Sequence, residues 1–326
     1  MGLIVEDATT HKGMMNGIRY IQFYPTLRCN LNCHFCFNKG LPATGDVKIQ
    51  DFEKIVSVLE QSGIGCVDIL GGEPTLHPGL IQLIDILKRY RMKSNISSNG
   101  TNTRLLNSLS ERYDGESLRI GISVNSNELP GDLHEYIIRH RPILKSVWTA
   151  KTMIHGSCEK YIGLPGIEYF LLYMDTVDSH DLKSSMPFYD FYRELVRLKK
   201  VYPGLDGVYC SGFVPGKADC SVTQSVRCPA GTAKLSISPD GSVYPCYLFF
   251  RYKEFELGNI LTDDFHKICK NPILNYFRTF NGNTCPRTEC MLFASCRGGC
   301  PAVSYVFFKD LDAPDPRCRD KNGHPA

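Results

Sequence analysis

Residues 18 to about 205 alternate short apolar runs with amphipathic helical segments, which points the chain to an α/β fold with stacked βα units on a parallel sheet. Ile18–Tyr24 reads as the first strand. Asp51–Gln61 then sets Phe52, Ile55, Val56, Val58 and Leu59 on one helical face, and Gly63 and Gly65 break it. The same reading gives strands at Val67–Leu70, Ser94–Ser98, Leu118–Val124, Val147–Ile154 and Ile167–Tyr173. Helices are expected at Pro78–Arg91, Leu105–Tyr113, Leu133–Arg139 and Tyr189–Lys200. In parallel α/β architectures ligands sit beyond the carboxyl ends of the strands. Here Cys29 to Cys36, Gly71-Gly72-Glu73, Ser98-Asn99 and Asn125-Ser126 all fall at such ends.

Fifteen cysteines are the second constraint. The amino terminus carries Glu6 and Asp7 before any apolar run, so a secretion signal is not expected, and disulfides do not persist in a reducing cytosol. Metal is the expected reason for them. Cys29, Cys33 and Cys36 stand at a spacing suited to three irons of a [4Fe–4S] cluster, which leaves the fourth iron open to a substrate or cofactor. A zinc site would want a fourth ligand, and His34 lies between two of the cysteines, where it turns back onto the same metal with difficulty.

Taken with Gly71-Gly72-Glu73-Pro74-Thr75, about forty residues downstream of Cys29, these features resemble the radical S-adenosylmethionine enzymes. The resemblance implies a partial (β/α)6 TIM-like barrel, a catalytic cluster on Cys29, Cys33 and Cys36, and S-adenosylmethionine chelating the open iron. Phe35 occupies the family's aromatic place before the third cysteine. Gly71, Gly72, Glu73 and Pro74 are implied to contact the methionyl amino group; glycines admit close approach and a carboxylate accepts from an ammonium. Ser98 and Asn99 are implied contacts for ribose and carboxylate. Ser123 and Asn125 stand at the family's Ser-Leu-Asp strand end, with Asn125 replacing the acid.

From Arg227 onward the chain resembles a SPASM domain, a cysteine-rich extension that holds auxiliary [4Fe–4S] clusters. The expected division is an arm at 1–17, the barrel at 18–205 and the auxiliary-cluster domain at 206–326. Gly241, with four residues between it and Cys246, fits, as do the gaps among Cys290, Cys296 and Cys300. Four residues separate Cys285 from Cys290 where the family usually has two. The resemblance assigns Cys228, Cys246 and Cys300 to one auxiliary cluster, and Cys285, Cys290, Cys296 and Cys318 to a second. The missing ligand of the first is Cys220, with Cys210 or an open iron as alternatives. Ser236 to Tyr244 reads as a hairpin turning at Pro239-Asp240-Gly241. Cys66, Cys158 and Cys269 read as packing residues, as do His77 and Trp148; Tyr247 either packs or faces the substrate.

Three clusters and S-adenosylmethionine imply formation of a 5′-deoxyadenosyl radical, with a flavodoxin or ferredoxin as electron donor and a net oxidation as the outcome. SPASM-bearing relatives commonly modify ribosomally made peptides or proteins. Only 28 residues precede Cys29, so a peptide substrate calls for a separate recognition protein or direct binding in the barrel. A small molecule, such as a sugar or cofactor precursor, is the alternative; a non-enzymatic electron carrier is a third reading, and Gly71-Gly72-Glu73-Pro74 argues against it. A net charge of +3 gives no electrostatic case for nucleic acid, and no apolar stretch reaches membrane-spanning length, so the expected location is cytoplasmic.

Overall fold

The computed structural model describes residues 17–126, 128–149, 160–208, 228–287, 289–290 and 298–318. Ten strands form one sheet: β1 Tyr20–Phe23, β2 Cys66–Ile69, β3 Lys93–Ser98, β4 Leu118–Ser123, β5 Ile143–Trp148, β6 Tyr169–Tyr173, β7 Leu205–Val208, β8 Lys234–Ile237, β9 Ser242–Tyr244 and β10 Gly258–Asn259. Their order is β10-β9-β8-β1-β2-β3-β4-β5-β6-β7. Strands β1 to β8 run parallel to one another, while β9 pairs antiparallel with β8 and β10 antiparallel with β9. Among the described residues the sheet ends at β7 on one side and β10 on the other, and it is a partial barrel.

The helices are α1 Ile49–Gln61, α2 Leu80–Arg89, α3 Thr103–Arg112, α4 Gly131–His140, α5 Ser179–Ser184, α6 Phe188–Val201, α7 Phe265–Ile268, α8 Ile273–Thr279 and α9 Pro301–Phe308. In α1 the buried Phe52, Ile55, Val56 and Leu59 repeat at helical spacing, and Gly63, at φ +76°, ends the turn that follows. Asn102 caps α3 by accepting from the Leu105 amide at 3.2 Å, and Asp178 caps α5 through the Asp181 amide at 2.7 Å. None of the described helices is long and apolar enough to cross a membrane.

Side chains on successive strand residues point to opposite faces. Ile21, Phe23, Val67, Ile69, Ile96, Ile120, Ile122, Leu144 and Leu171 share one core with α1, α2, α3 and α4. The opposite, inner face carries Gln22, Asp68, Asn95, Lys145, Lys234 and Ser236, all buried. The first auxiliary hairpin forms as expected, with Gly241 at φ +87° in the turn between β8 and β9. One expected strand is displaced: β5 begins at Ile143, because Arg141 in the left-handed conformation ends α4 and delivers the chain directly into the sheet. Its polar centre, Lys145-Ser146, hides it from an apolar pattern.

Candidate active site

Strand β1 delivers the chain into the cysteine loop, whose backbone is held by the loop after β2. Gly72 N donates to the Thr26 carbonyl at 3.0 Å, and Glu73 N to that of Arg28 at 2.7 Å. Both glycines are needed for this approach. A Cβ at Gly71, φ +150°, would lie 2.5 Å from the Thr26 oxygen, and one at Gly72 2.1 Å from that of Arg28. Glu73 is almost fully buried. Its Oε1 accepts from Thr75 N (3.0 Å), Thr75 Oγ1 (2.6 Å) and Ser98 Oγ (2.9 Å), and its Oε2 from Asn99 N (2.7 Å). Pro74 is buried at the start of a short 3-10 turn.

Asn99 in turn reaches the cysteine loop: its Nδ2 donates to Asn30 Oδ1 at 2.9 Å and lies 3.9 Å from Cys29 Sγ. Thus Cys29, Glu73, Ser98 and Asn99 form one bonded unit across three strand ends. Phe35 is half-buried, its ring 4.9 Å from that of His34. Ser123 is half-buried at the end of β4, in register with Lys145. Asn125 joins the tops of β4 and β5, its Oδ1 accepting from Val147 N at 2.8 Å.

Cys29 is exposed, and Cys33 and Cys36 are half-buried. Burial first, then the neighbouring cysteines, pushes the Cys33 thiol above its ordinary value. Burial does the same for Cys36, partly offset by a hydrogen bond from the Asn38 backbone. In the carboxy-terminal half, Cys246 is buried in an apolar cluster with Tyr244, Tyr247 and Phe249, and Cys228 and Cys300 border the same cluster. Asp315 bridges two cysteines: its Oδ2 accepts from Cys300 N at 2.8 Å and its carbonyl oxygen from Cys318 N at 2.9 Å. Cys285 and Cys290 are half-buried. Cys220 and Cys296 lie outside the described residues. Cys269 is a fully buried packing residue, its thiol pushed up to about 11 by burial.

Two matches to protein families decide the identity. Residues 23–169 match the radical SAM superfamily, and residues 228–301 match an iron-sulfur cluster-binding domain, SPASM. The chain belongs to the radical S-adenosylmethionine superfamily. It is 24% identical over 313 residues to the antilisterial bacteriocin subtilosin biosynthesis protein AlbA of Bacillus subtilis, spanning 85% of this chain and 66% of AlbA. It is 26% identical over 327 residues to the mycofactocin maturase MftC of Mycobacterium ulcerans, spanning 92% of this chain and 88% of MftC. Among solved structures, Streptococcus suis SuiB bound to S-adenosylmethionine superposes with a TM-score of 0.72 at 18% identity, over 94% of this chain and 78% of SuiB. SuiB bound to its precursor peptide SuiA superposes at 0.68 and 17% identity, over 94% of this chain and 76% of SuiB.

The cysteine loop fits the iron-sulfur chemistry of this superfamily. Among the described residues, the one set of three or more His, Cys, Asp or Glu whose ligand atoms all lie within 4.8 Å is Asp178, His180 and Asp181. At least one pair among the sulfurs of Cys29, Cys33 and Cys36 is therefore more than 4.8 Å apart, wider than thiolates around one zinc, roughly 3.8 Å apart in a tetrahedron of about 2.3 Å bonds. That spread suits several irons better than a single ion.

Several inner-face groups are absent from the motif reading. Asp68 accepts from Asn95 Nδ2 at 2.6 Å, and Lys145 donates to Ser97 Oγ. Lys234 Nζ donates to Gln22 Oε1 at 3.0 Å and lies 5.6 Å from the Tyr247 ring centre. Burial pushes the Asp68 carboxyl up to about 7, against the Asn95 hydrogen bond and the charges of Lys234, Lys145 and Arg119. Burial pulls Lys145 down to about 8, against the carboxylates of Asp68 and Glu73. The available signal was a lone charge inside an apolar strand, Cys66-Val67-Asp68-Ile69-Leu70. Tyr247 lies at this interior too, and its hydroxyl donates to Asp175 Oδ2 at 2.5 Å beyond β6.

Proposed function

We propose that the chain is a radical S-adenosylmethionine enzyme that oxidises a C–H position on a side chain of a ribosomally made peptide or protein. One observation carries the reading: Cys29, Glu73, Ser98 and Asn99 form a single hydrogen-bonded unit at the carboxyl ends of β1, β2 and β3, above a buried polar inner face. When bound, the reduced cluster and S-adenosylmethionine supply a 5′-deoxyadenosyl radical that takes a hydrogen atom from carbon. The rest is the work of this chain.

Cys29, Cys33 and Cys36 hold the catalytic cluster, beside Phe35. Gly71, Gly72, Glu73 and Pro74 shape the wall facing the methionyl end, and Ser98, Asn99, Ser123 and Asn125 offer polar atoms to the nucleoside. Residues 18–205 form this barrel, and 206–326 the auxiliary unit. There, Cys228, Cys246 and Cys300, completed by Cys220, hold one cluster; Cys285, Cys290, Cys296 and Cys318 hold another, making three in all. These two clusters take up the electron that a net oxidation releases. A flavodoxin or ferredoxin reduces the first cluster in the cytoplasm, and the peptide is either presented by a separate recognition protein or bound directly in the barrel. The peptide class is supported by the relatives: AlbA serves bacteriocin biosynthesis, MftC is a maturase, and SuiB binds a precursor peptide.

Anaerobically reconstituted protein is expected to bind about twelve iron and twelve sulfide per chain, as three four-iron clusters require, and to form 5′-deoxyadenosine from S-adenosylmethionine. The variant with Cys29, Cys33 and Cys36 all changed to Ala should lose that product and keep its auxiliary iron. Undiminished cleavage in the triple variant would overturn the reading. For the substrate, co-expression with a short peptide encoded beside the gene should yield a peptide lighter by two hydrogens; an unmodified peptide alongside active cleavage would reject the peptide class alone.

A further inference from the structure

One side chain from the carboxy-terminal half grips the cysteine loop. Arg251 stands just beyond the 3-10 turn Tyr247–Phe249 that follows Cys246. Its Nη2 donates to the carbonyl oxygen of Phe37 and, at 3.4 Å, to that of Lys39. Phe37 directly follows Cys36, so both bonds fall within three residues of a cysteine that the proposed function makes a cluster ligand.

The same stretch is fixed on three other sides. Asn38 Nδ2 donates to the Gly71 carbonyl at 3.3 Å, which ties the loop to the glycine-rich wall. Lys39 Nζ pairs with the buried Asp181 at 2.5 Å and lies 3.8 Å from Asp178, at the start of α5. The Phe37 ring packs on that of Tyr247, centroids 4.4 Å apart, and stands 6.0 Å from that of Tyr24. Of these holds, Arg251 is the one that brings a positive charge from the auxiliary unit. The guanidinium is half-buried and near enough to Asp181, Asp178 and Cys36 for their charges to act on it. Both bonds come from one nitrogen, Nη2, at the end of a side chain one bond longer than that of lysine, so an ammonium at this position keeps the charge but falls short of the two carbonyls.

We infer that Arg251 is a positioning residue for the radical-generating site: it fixes the backbone that follows Cys36 and holds a permanent positive charge beside the metal bound there. The inference rests on the proposed function, since it assigns Arg251 a task at that cluster. Two consequences are separable. Loss of the two hydrogen bonds loosens residues 37–39. Loss of the charge disfavours the reduced, more negative cluster and moves its reduction potential downward.

The test compares Arg251→Gln and Arg251→Lys with wild type. In metal-free protein, amide hydrogen exchange of residues 37–39 should quicken at least about tenfold in both variants, since the bonds to Phe37 and Lys39 are both lost and one charge-assisted bond alone accounts for about that factor. In reconstituted holoenzyme, Arg251→Gln should lower the potential of the catalytic cluster and broaden its paramagnetic signal with S-adenosylmethionine. Arg251→Lys, which keeps the charge, should restore the potential without restoring the exchange rate. A purely structural brace would move exchange in both and potential in neither, which overturns the assignment. Wild-type exchange and potential in Arg251→Gln overturn it too. Should Arg251→Gln fail to fold, Arg251→Lys with wild-type exchange at 37–39 overturns it alone. A wild-type protein whose signal ignores S-adenosylmethionine would instead refute the proposed function.

Discussion

Four protein donors meet the two carboxylate oxygens of Glu73, so the side chain that the family motif directs toward a ligand also fastens the ends of β2 and β3 together. Glu73→Gln keeps the shape and replaces one acceptor by an NH2 group that must face a donor. Burial makes that mismatch costly, about 1.5–3 kcal/mol for hydrogen bonds to a charged group. Thermal unfolding should fall by several degrees even without cofactors, and an unchanged midpoint would show that the network is dispensable. Asp68 and Lys145 act through pH. Between about 4 and about 7 the native Asp68 binds more protons than its unfolded counterpart, whose value is 3.8, so stability falls as pH rises across that window. Lys145 titrates near 8 when folded and 10.5 when unfolded, so between those values stability rises with pH. Each slope is at most about 1.4 kcal/mol per pH unit, and the pair sets a shallow minimum between them. Denaturant unfolding across pH should show Asp68→Asn flattening the acid limb and Lys145→Met the alkaline one. Parallel curves for wild type and both variants would count against burial as the cause.

The loop that carries the cysteines and the loop after β2 are two irregular segments held together through backbone, and this is why glycines stand at 71 and 72. Gly72→Ala would place a methyl 2.1 Å from the Arg28 oxygen, a peptide group with no freedom to step aside. Separation of the loops should cost about 1–3 kcal/mol and lower iron incorporation at the catalytic cluster, measured on a chain whose auxiliary cysteines are intact. Normal incorporation would mean that the loops close by another route. Local periodicity made helices such as α1 legible, since Phe52, Ile55, Val56 and Leu59 write their buried face directly into the chain. Contiguous motifs did the same for Cys29 to Cys36 and for the Pro239-Asp240-Gly241 turn. What escaped was short or long-range. The six-residue α5 and the four-residue β7, with Asp206-Gly207 at its centre, offer too little pattern to read. Asp68, Lys145 and Arg251 are single polar residues whose meaning comes from partners far along the chain, Arg251 from Phe37 at a separation of 214 residues.

The two halves of the molecule share one sheet. Strand β8 pairs in parallel with β1 from Tyr20–Lys234 to Phe23–Ile237, and β9 and β10 extend it outward. All four residues of β1 are buried, and the cysteine loop leaves directly from its end. Lys234 and Ser236, both from β8, also converge on Gln22 of β1 inside the barrel, at 3.0 and 3.2 Å. A chain ending at residue 208 would therefore lose more than auxiliary metal. It would expose an apolar parallel edge at β1, leave the Gln22 carbonyl without its two donors, and remove Arg251 from the cysteine loop. We expect the truncated chain to aggregate, or to show rapid amide exchange at residues 20–23, and to hold little iron at Cys29, Cys33 and Cys36. The control is the full-length chain with Cys228, Cys246 and Cys300 changed to Ala, which keeps β8. If that control folds and loads the first cluster while the truncation does not, the sheet continuity is what the barrel requires. A truncated chain with protected β1 amides and a full complement of catalytic iron would show that the barrel stands without its eighth strand.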